Sequence, residues 1–209
     1  MVFKRRDRRP VWQIVQHSLW PRGGWARAAR YVRHRLHRLP DTPEKISRGV
    51  AAGVFTTFTP FYGFHFVVAA LLALLLRGNL VAALLSTFFG NPLTYVPIGI
   101  VSLQTGYWLL GTRPAQDVEE GFLRKFSGAG GDLWHNFKAL FTPEVAEWAR
   151  LARFYDDVFL PYLIGGLAPG VIAGAIAYFV ALPIIRAYQN RRKNRLRAKL
   201  QKLKTGELP

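Results

Sequence analysis

Cysteine is absent from the 209 residues, and acidic side chains are scarce, 12 against 29 lysines and arginines. Without a thiol there is no disulfide, no thiolate metal site, no cysteine nucleophile and no lipidated cysteine. A second absence says more. No charged side chain occurs from Gly49 to Leu76, from Gly78 to Thr112 or from Val158 to Ile185. A helix needs about 20 apolar residues to cross a hydrocarbon core, where a charge is costly, so each stretch is long enough to be membrane-embedded. The sequence therefore predicts an all-α integral membrane protein built as a helical bundle.

The same absence removes chemistry. With no Asp or Glu inside the three blocks, carboxylate-driven proton or cation transport and aspartyl intramembrane proteolysis have no group to use. The patterns HExxH, GxxxxGK[ST] and GxSxG are missing too. Enzyme is the least supported class, and no catalytic residue, metal site or cofactor is expected.

What is present is positive charge, +17 net, together with a slightly positive mean hydropathy. Basic ends flanking apolar blocks produce that combination. The expected organisation is basic interfacial helices over 1–48, a membrane domain over 49–185 with a polar, mildly acidic insert at 113–157, and a basic C-terminal helix and tail over 186–209. Such charge also suggests nucleic acid as a partner. That reading is set aside because the basic residues border apolar blocks and no nucleic-acid-binding signature occurs. No removable secretory signal is expected near the charged Met1 to Pro10.

Between Val11 and Leu39 apolar residues recur at helical spacing, as Trp25, Ala28, Ala29, Val32, Leu36 and Leu39. Arg27, Arg30, Arg33, Arg35 and Arg38 fill much of the remaining surface. This pattern fits a helix lying in the headgroup plane, where each basic residue gains roughly 1 kcal/mol from anionic lipid. A solvated helix with a basic face is the alternative. Pro21, Gly23 and Gly24 separate it from a shorter helix beginning near Val11. Asp41, Pro43 and Glu44 then predict a new helix, with Asp41 as N-cap, proline in the first turn and an acid three residues after the cap.

Every apolar block carries a helix breaker: Pro60 with Gly63, Gly90 and Asn91 with Pro92, and Pro169 with Gly170. An arm such as Asn79 to Phe89 rises only about 17 Å, short of a roughly 30 Å core. Such arms suggest discontinuous or re-entrant helices, with kinked spanning helices as the alternative.

His65 lies five residues after Pro60. It is suited to bind a head group, relay a proton or ligate a metal, or simply to hydrogen-bond a carbonyl freed by the proline. Asn91, with Thr59, Thr87, Thr94 and Tyr95, offers a small polar pocket at a break; equally, Asn91 can cap the second arm. Arg77 and Asn79 flank Gly78 at a turn, marking the membrane surface or binding a head group. Gln104 and Thr105 suit interhelical hydrogen bonds. In the insert, Trp134, Phe137, Leu140, Phe141, Trp148 and Phe154 predict short helices against the membrane or the bundle.

Both ends are rich in Lys and Arg, which predicts both termini in the cytoplasm and an even number of crossings. The first block is the natural one to enter and leave on the same side, because Arg77 follows it. The insert then faces outward. The competing arrangement has two spanning helices first and a hairpin last, with the insert inside.

The stretch GVFTTFTPFYGFHF at Gly53 to Phe66, the RGN turn at Arg77 to Asn79 and TFFGNPLTYVP at Thr87 to Pro97 resemble the DUF2062 domain family of uncharacterised prokaryotic membrane proteins. The resemblance implies an integral membrane domain without an established activity and with no catalytic residue to carry over. Some relatives joined to glycosyltransferase-like domains imply a link to cell-envelope or lipid-linked sugar work. The expectation is a protein of the bacterial inner membrane that binds or translocates an anionic lipid or lipid-linked envelope precursor. The alternative is a non-catalytic scaffold for envelope-synthesis enzymes.

Overall fold

The computed structural model describes residues 24–37, 39–112, 122–139, 141–142 and 148–204, and among them every regular element is helical. The helix expected from Val11, along with Arg38, Leu140 and much of the acidic insert, lies outside the described residues. The chain forms two compact units, Met1–Pro40 and Asp41–Pro209. The first contains α1, Gly24–His37. Its Arg27, Arg30, Arg33 and Arg35 are exposed, whereas Val32 and Leu36 are half-buried. The Arg35 Nε donates to the Tyr31 hydroxyl at 3.1 Å, with the guanidinium over that ring.

The second unit opens with α2, Pro43–Thr56. Its N-cap is Thr42, whose hydroxyl accepts from the Lys45 amide, with Pro43 in the first turn. The expected cap, Asp41, instead pairs with Asn79 and Lys45. Thr42 directly precedes Pro43, and proline disfavours helical dihedrals in the residue before it, so the non-helical cap geometry falls there. After a turn over 57–64 come α3, His65–Leu75, and α4, Leu80–Ser86, which ends in the 3-10 turn Thr87–Phe89. Helix α5, Pro92–Leu110, leaves that turn at 85°. Beyond it lie α6, Phe122–Ala139, and α7, Ala149–Phe154. A π-helical segment, Tyr155–Phe159, then leads into the 45-residue α8, Leu160–Lys204.

One expected break is absent. Helix α8 runs unbroken through Pro169 and Pro183. A proline removes only one backbone hydrogen bond, and neighbouring helices hold α8 on both sides of Pro169 through Gly165, Gly166, Gly170 and Gly174.

Small residues bring the helices together. A Cβ on Gly49 would fall on the Asn79 carbonyl oxygen, and one on Gly53 on the Ala83 carbonyl oxygen, so α2 and α4 touch backbone to backbone. Helix α8 meets α5 where Gly165 lies against Ser102 and Gly106, the turn after α2 where Gly166 lies against Phe58, and α2 itself where Gly174 lies against Ala51. Much of the interior is correspondingly small or polar: Ala52, Ala69, Ala73, Ala82, Ala83, Ser47, Thr56, Thr57, Ser86 and Ser102 are buried, alongside the larger Ile46, Phe58, Ile98, Tyr162 and Ile185. Most large apolar side chains among the described residues point outward, among them Phe66, Leu71 and Leu75 on α3, Ile100 and Trp108 on α5, and Ile172, Ile176 and Phe179 on α8.

Both ends of the α2–α3 hairpin meet. The Asn79 amide donates to the Lys45 carbonyl at 2.8 Å, and the Asn79 side chain caps α4 while donating to Asp41 at 2.9 Å. The far half of α8 reaches the same rim, where Arg186 pairs with Glu44 at 2.7 Å and Gln189 donates to the Asp41 carbonyl at 2.8 Å. The start of α2, the α3–α4 turn and the onset of the basic stretch of α8 thus share one end of the bundle.

Candidate functional site

The opposite end of the hairpin is built by three threonines and a proline. Near the end of α2, carbonyls lose their helical partners because Pro60 has no N–H to continue the ladder. Thr56 Oγ1 donates to the Ala52 carbonyl at 2.8 Å, Thr57 Oγ1 to Val54 at 2.7 Å and Thr59 Oγ1 to Thr56 at 2.7 Å. The chain reverses through Gly63, whose φ of +87° suits glycine. His65 then opens α3, and its Nε2 donates to the Thr59 carbonyl at 3.2 Å.

That bond fixes the imidazole. With the proton on Nε2, a neutral ring presents Nδ1 as acceptor, and the Tyr95 hydroxyl stands 3.4 Å from it. The Tyr95 ring stacks on His65, while Tyr62 meets both edge-on. The Tyr62 hydroxyl lies 3.0 Å from that of Tyr162 on α8, which is fully buried. Phe61 packs edge-on against Phe159, giving the tip a second contact at the end of the π-helical segment that leads into α8. Four ring side chains from three parts of the fold therefore enclose the hairpin tip without a single charge.

The break before α5 shapes the same cluster. A Cβ on Gly90 would lie 2.6 Å from the Tyr95 hydroxyl, so glycine makes room for that ring. Asn91 is the N-cap of α5: its Oδ1 accepts from the amides of Leu93 and Thr94, and its own amide donates to Thr94 Oγ1 at 2.9 Å. Thr94 Oγ1 also donates to the Phe89 carbonyl at 2.6 Å, and Asn91 Nδ2 to the same carbonyl at 3.3 Å. Pro92 follows at the first helical position.

Of the residues read as a candidate polar site, the structure brings His65 and Tyr95 together with the Thr59 carbonyl and engages Asn91 and Thr94 in a capping box. Thr87 Oγ1 donates to the Leu84 carbonyl. Pro60 and Gly63 form the tip that meets the Gly90–Pro92 break, whereas Pro169 sits inside α8. Sequence reasoning missed Tyr62 and Tyr162. Tyr62 lies within the motif at Gly53 to Phe66, and Tyr162 is a phenol in an otherwise apolar block; both were visible, but their pairing was not. Among the described residues no three His, Asp or Glu side chains come close enough to hold a metal ion.

The rim carries the charge. The Asn79 amide, with help from Lys45, holds the Asp41 carboxyl below its usual range. Arg186 does the same for Glu44. Arg77 is exposed and adopts a left-handed conformation, φ +49°, that closes α3: its amide donates to the Leu74 carbonyl and that of Gly78 to Ala73. Arg27, Arg30 and Arg33 belong to the first compact unit and Arg77 to the second.

The continuous helix Ala149–Ala198 is long and apolar enough to cross a membrane, and the pair Leu80–Phe89 and Pro92–Leu110 meets the same test as one bent span. In comparisons with known proteins, the family model described as "Uncharacterized protein conserved in bacteria (DUF2062)" matches residues 26–194. No curated protein and no solved structure matches the chain.

Proposed function

We propose that this chain, which belongs to the DUF2062 family of proteins conserved in bacteria, is an integral protein of the cytoplasmic membrane that binds, and passes between leaflets, an anionic lipid or lipid-linked envelope precursor. The observation that carries the membrane reading is the inverted packing. Burying a Leu or Phe side chain is worth about 1.5–3 kcal/mol. A chain that keeps alanines, serines and threonines inside and Phe66, Leu71, Leu75, Ile100, Ile172 and Phe179 outside forgoes that gain in water. In lipid it forgoes nothing, and close backbone approach at small residues becomes the principal attraction between helices.

Under this reading α2 and α3, 14 and 11 residues long, rise about 21 and 16 Å and form a re-entrant hairpin. Helices α4 and α5 together make one broken span, and α8 makes the other. The rim bearing Lys45, Arg77 and Arg186 faces the cytoplasm, where anionic lipid holds basic residues, and so do both termini. The uncharged cluster of Tyr62, His65, Tyr95 and Tyr162 supplies neutral donors and acceptors at the hairpin tip, suited to the phosphate or sugar hydroxyls of a head group in transit. Arg77 and the α1 arginines gather that lipid.

A scaffold for envelope-synthesis proteins is the second reading, favoured by one observation. His65 and Asn91 already satisfy neighbouring backbone groups, as a purely structural latch would. Proteoliposomes with a fluorescent anionic lipid separate the two. Transport predicts faster exchange between leaflets for anionic than for zwitterionic lipid, slowed by His65→Ala in protein of unchanged helicity. Equal, slow exchange of both lipids by the unaltered chain removes the transport reading. A scaffold tolerates His65→Ala and fails in complementation when 113–157 is deleted.

A further inference from the structure

The second half of α6 exposes large apolar side chains. Trp134, Phe137 and Phe141 are 60%, 51% and 77% exposed, and Leu133 beside them is exposed as well. The three rings contact one another in sequence along one face, and Lys138 extends over Trp134 at 5.9 Å. The buried face of the same helix is Ala129 and Asn136, and an Asp132–Arg150 ion pair at 3.0 Å ties it to α7. A Cβ added at Gly128, Gly130 or Gly131 would meet nothing within 4 Å. Three glycines weaken a helix, so α6 depends on whatever covers its aromatic face.

We infer that the aromatic face formed by Trp134 and Phe137 of α6, with Phe141 in the turn just beyond it, lies in the headgroup–acyl boundary of the bilayer, on the side opposite the Arg186 rim. Two observations commit the face to lipid. Trp beside Phe, with a lysine on their polar flank, is the composition that settles where one edge is apolar and the other wet. The position agrees: α7 passes without interruption through Tyr155–Phe159 into α8, which itself exposes the apolar Val171, Ile172 and Phe179. The ion pair to Arg150 holds α6 beside the end of α8 remote from Arg186. The anchor fixes the outer end of that span, while Arg186 and Glu44 fix the inner one. This inference rests on the membrane reading above.

The absence of cysteine makes the test direct. Single variants Phe137→Cys, Gly128→Cys and Phe179→Cys of the full chain are spin-labelled and reconstituted in vesicles of phosphatidylglycerol and phosphatidylethanolamine. Collision with oxygen, which concentrates in lipid, is compared with collision with a water-soluble nickel chelate. Gly128 lies roughly half a turn around α6 from Phe137. The expected result is oxygen-dominated relaxation at 137 and 179 and nickel-dominated relaxation at 128. Nickel-dominated relaxation at 137 with oxygen-dominated relaxation at 179 overturns the anchor and leaves the membrane reading standing. Low accessibility to both reagents at 137 also overturns it, because a protein then covers the face. Nickel-dominated relaxation at 179 overturns both.

Discussion

Tyr62 and Tyr162 stand 100 residues apart in the chain, and their hydroxyls meet at 3.0 Å. The contact joins the hairpin tip to the long helix α8, and Tyr95 and His65 complete the junction from α5 and α3. Removing either hydroxyl is expected to cost about 0.5–1.5 kcal/mol, the net worth of one such bond. Tyr62→Phe, Tyr162→Phe and the double variant, unfolded in the same micelle, form a cycle. The double variant should lose less than the sum of the two single losses, because both remove the same bond. Strict additivity would mean that the hydroxyls act independently.

The glycine seam gives a sharper contrast. A Cβ on Gly53 would strike the Ala83 carbonyl and come within 2.7 Å of the Ser86 Cβ. Gly53→Val should cost about 3 kcal/mol or more and lower accumulation in the membrane. Gly128→Ala enters open space and should strengthen α6 by about 0.5–1 kcal/mol. Thermal unfolding of both variants checks the pair, and equal tolerance would contradict the close approach of α2 and α4.

Asn79→Asp keeps an oxygen for the α4 cap but sets a carboxylate against that of Asp41. In the unaltered chain the folded Asp41 carboxyl sits below its ordinary value, chiefly through the Asn79 amide. Its contribution to stability is therefore present above the unfolded pKa and lost as pH falls through the lower folded one. Facing carboxylates reverse the sign: the variant should be about 1 kcal/mol less stable at neutral pH, after allowance for the solvent-exposed setting, and the gap should close below about pH 4. A gap that does not change with pH would show that the two groups do not interact.

Arg77 holds a left-handed conformation without being glycine, at a cost of about 1–2 kcal/mol. Arg77→Gly should raise stability by about 1 kcal/mol while reducing the anionic lipid that co-purifies with the chain. Stability and lipid retention that rise together would mean that Arg77 makes no head-group contact.

The turn at Pro60 and Gly63 and the cap at Asn91 were legible in the sequence because proline, glycine and asparagine act on their immediate neighbours. Local rules also placed the start of α2 within one residue, and erred only in choosing Asp41 over Thr42. Pro169 shows where local rules end, since the packing of distant helices on Gly165 and Gly170 keeps α8 continuous. The same limit hid the tyrosine pair. A helical pattern tells which face of Tyr162 is buried, but not that the tip of a hairpin 100 residues away arrives to meet it.

The outward placement of large apolar side chains is the premise on which the functional reading stands. Its most direct test is size-exclusion chromatography with light scattering of the purified full chain before and after detergent removal. We expect a discrete particle in detergent and again in lipid nanodiscs, and aggregation in plain buffer. A monodisperse species in detergent-free buffer would contradict the account.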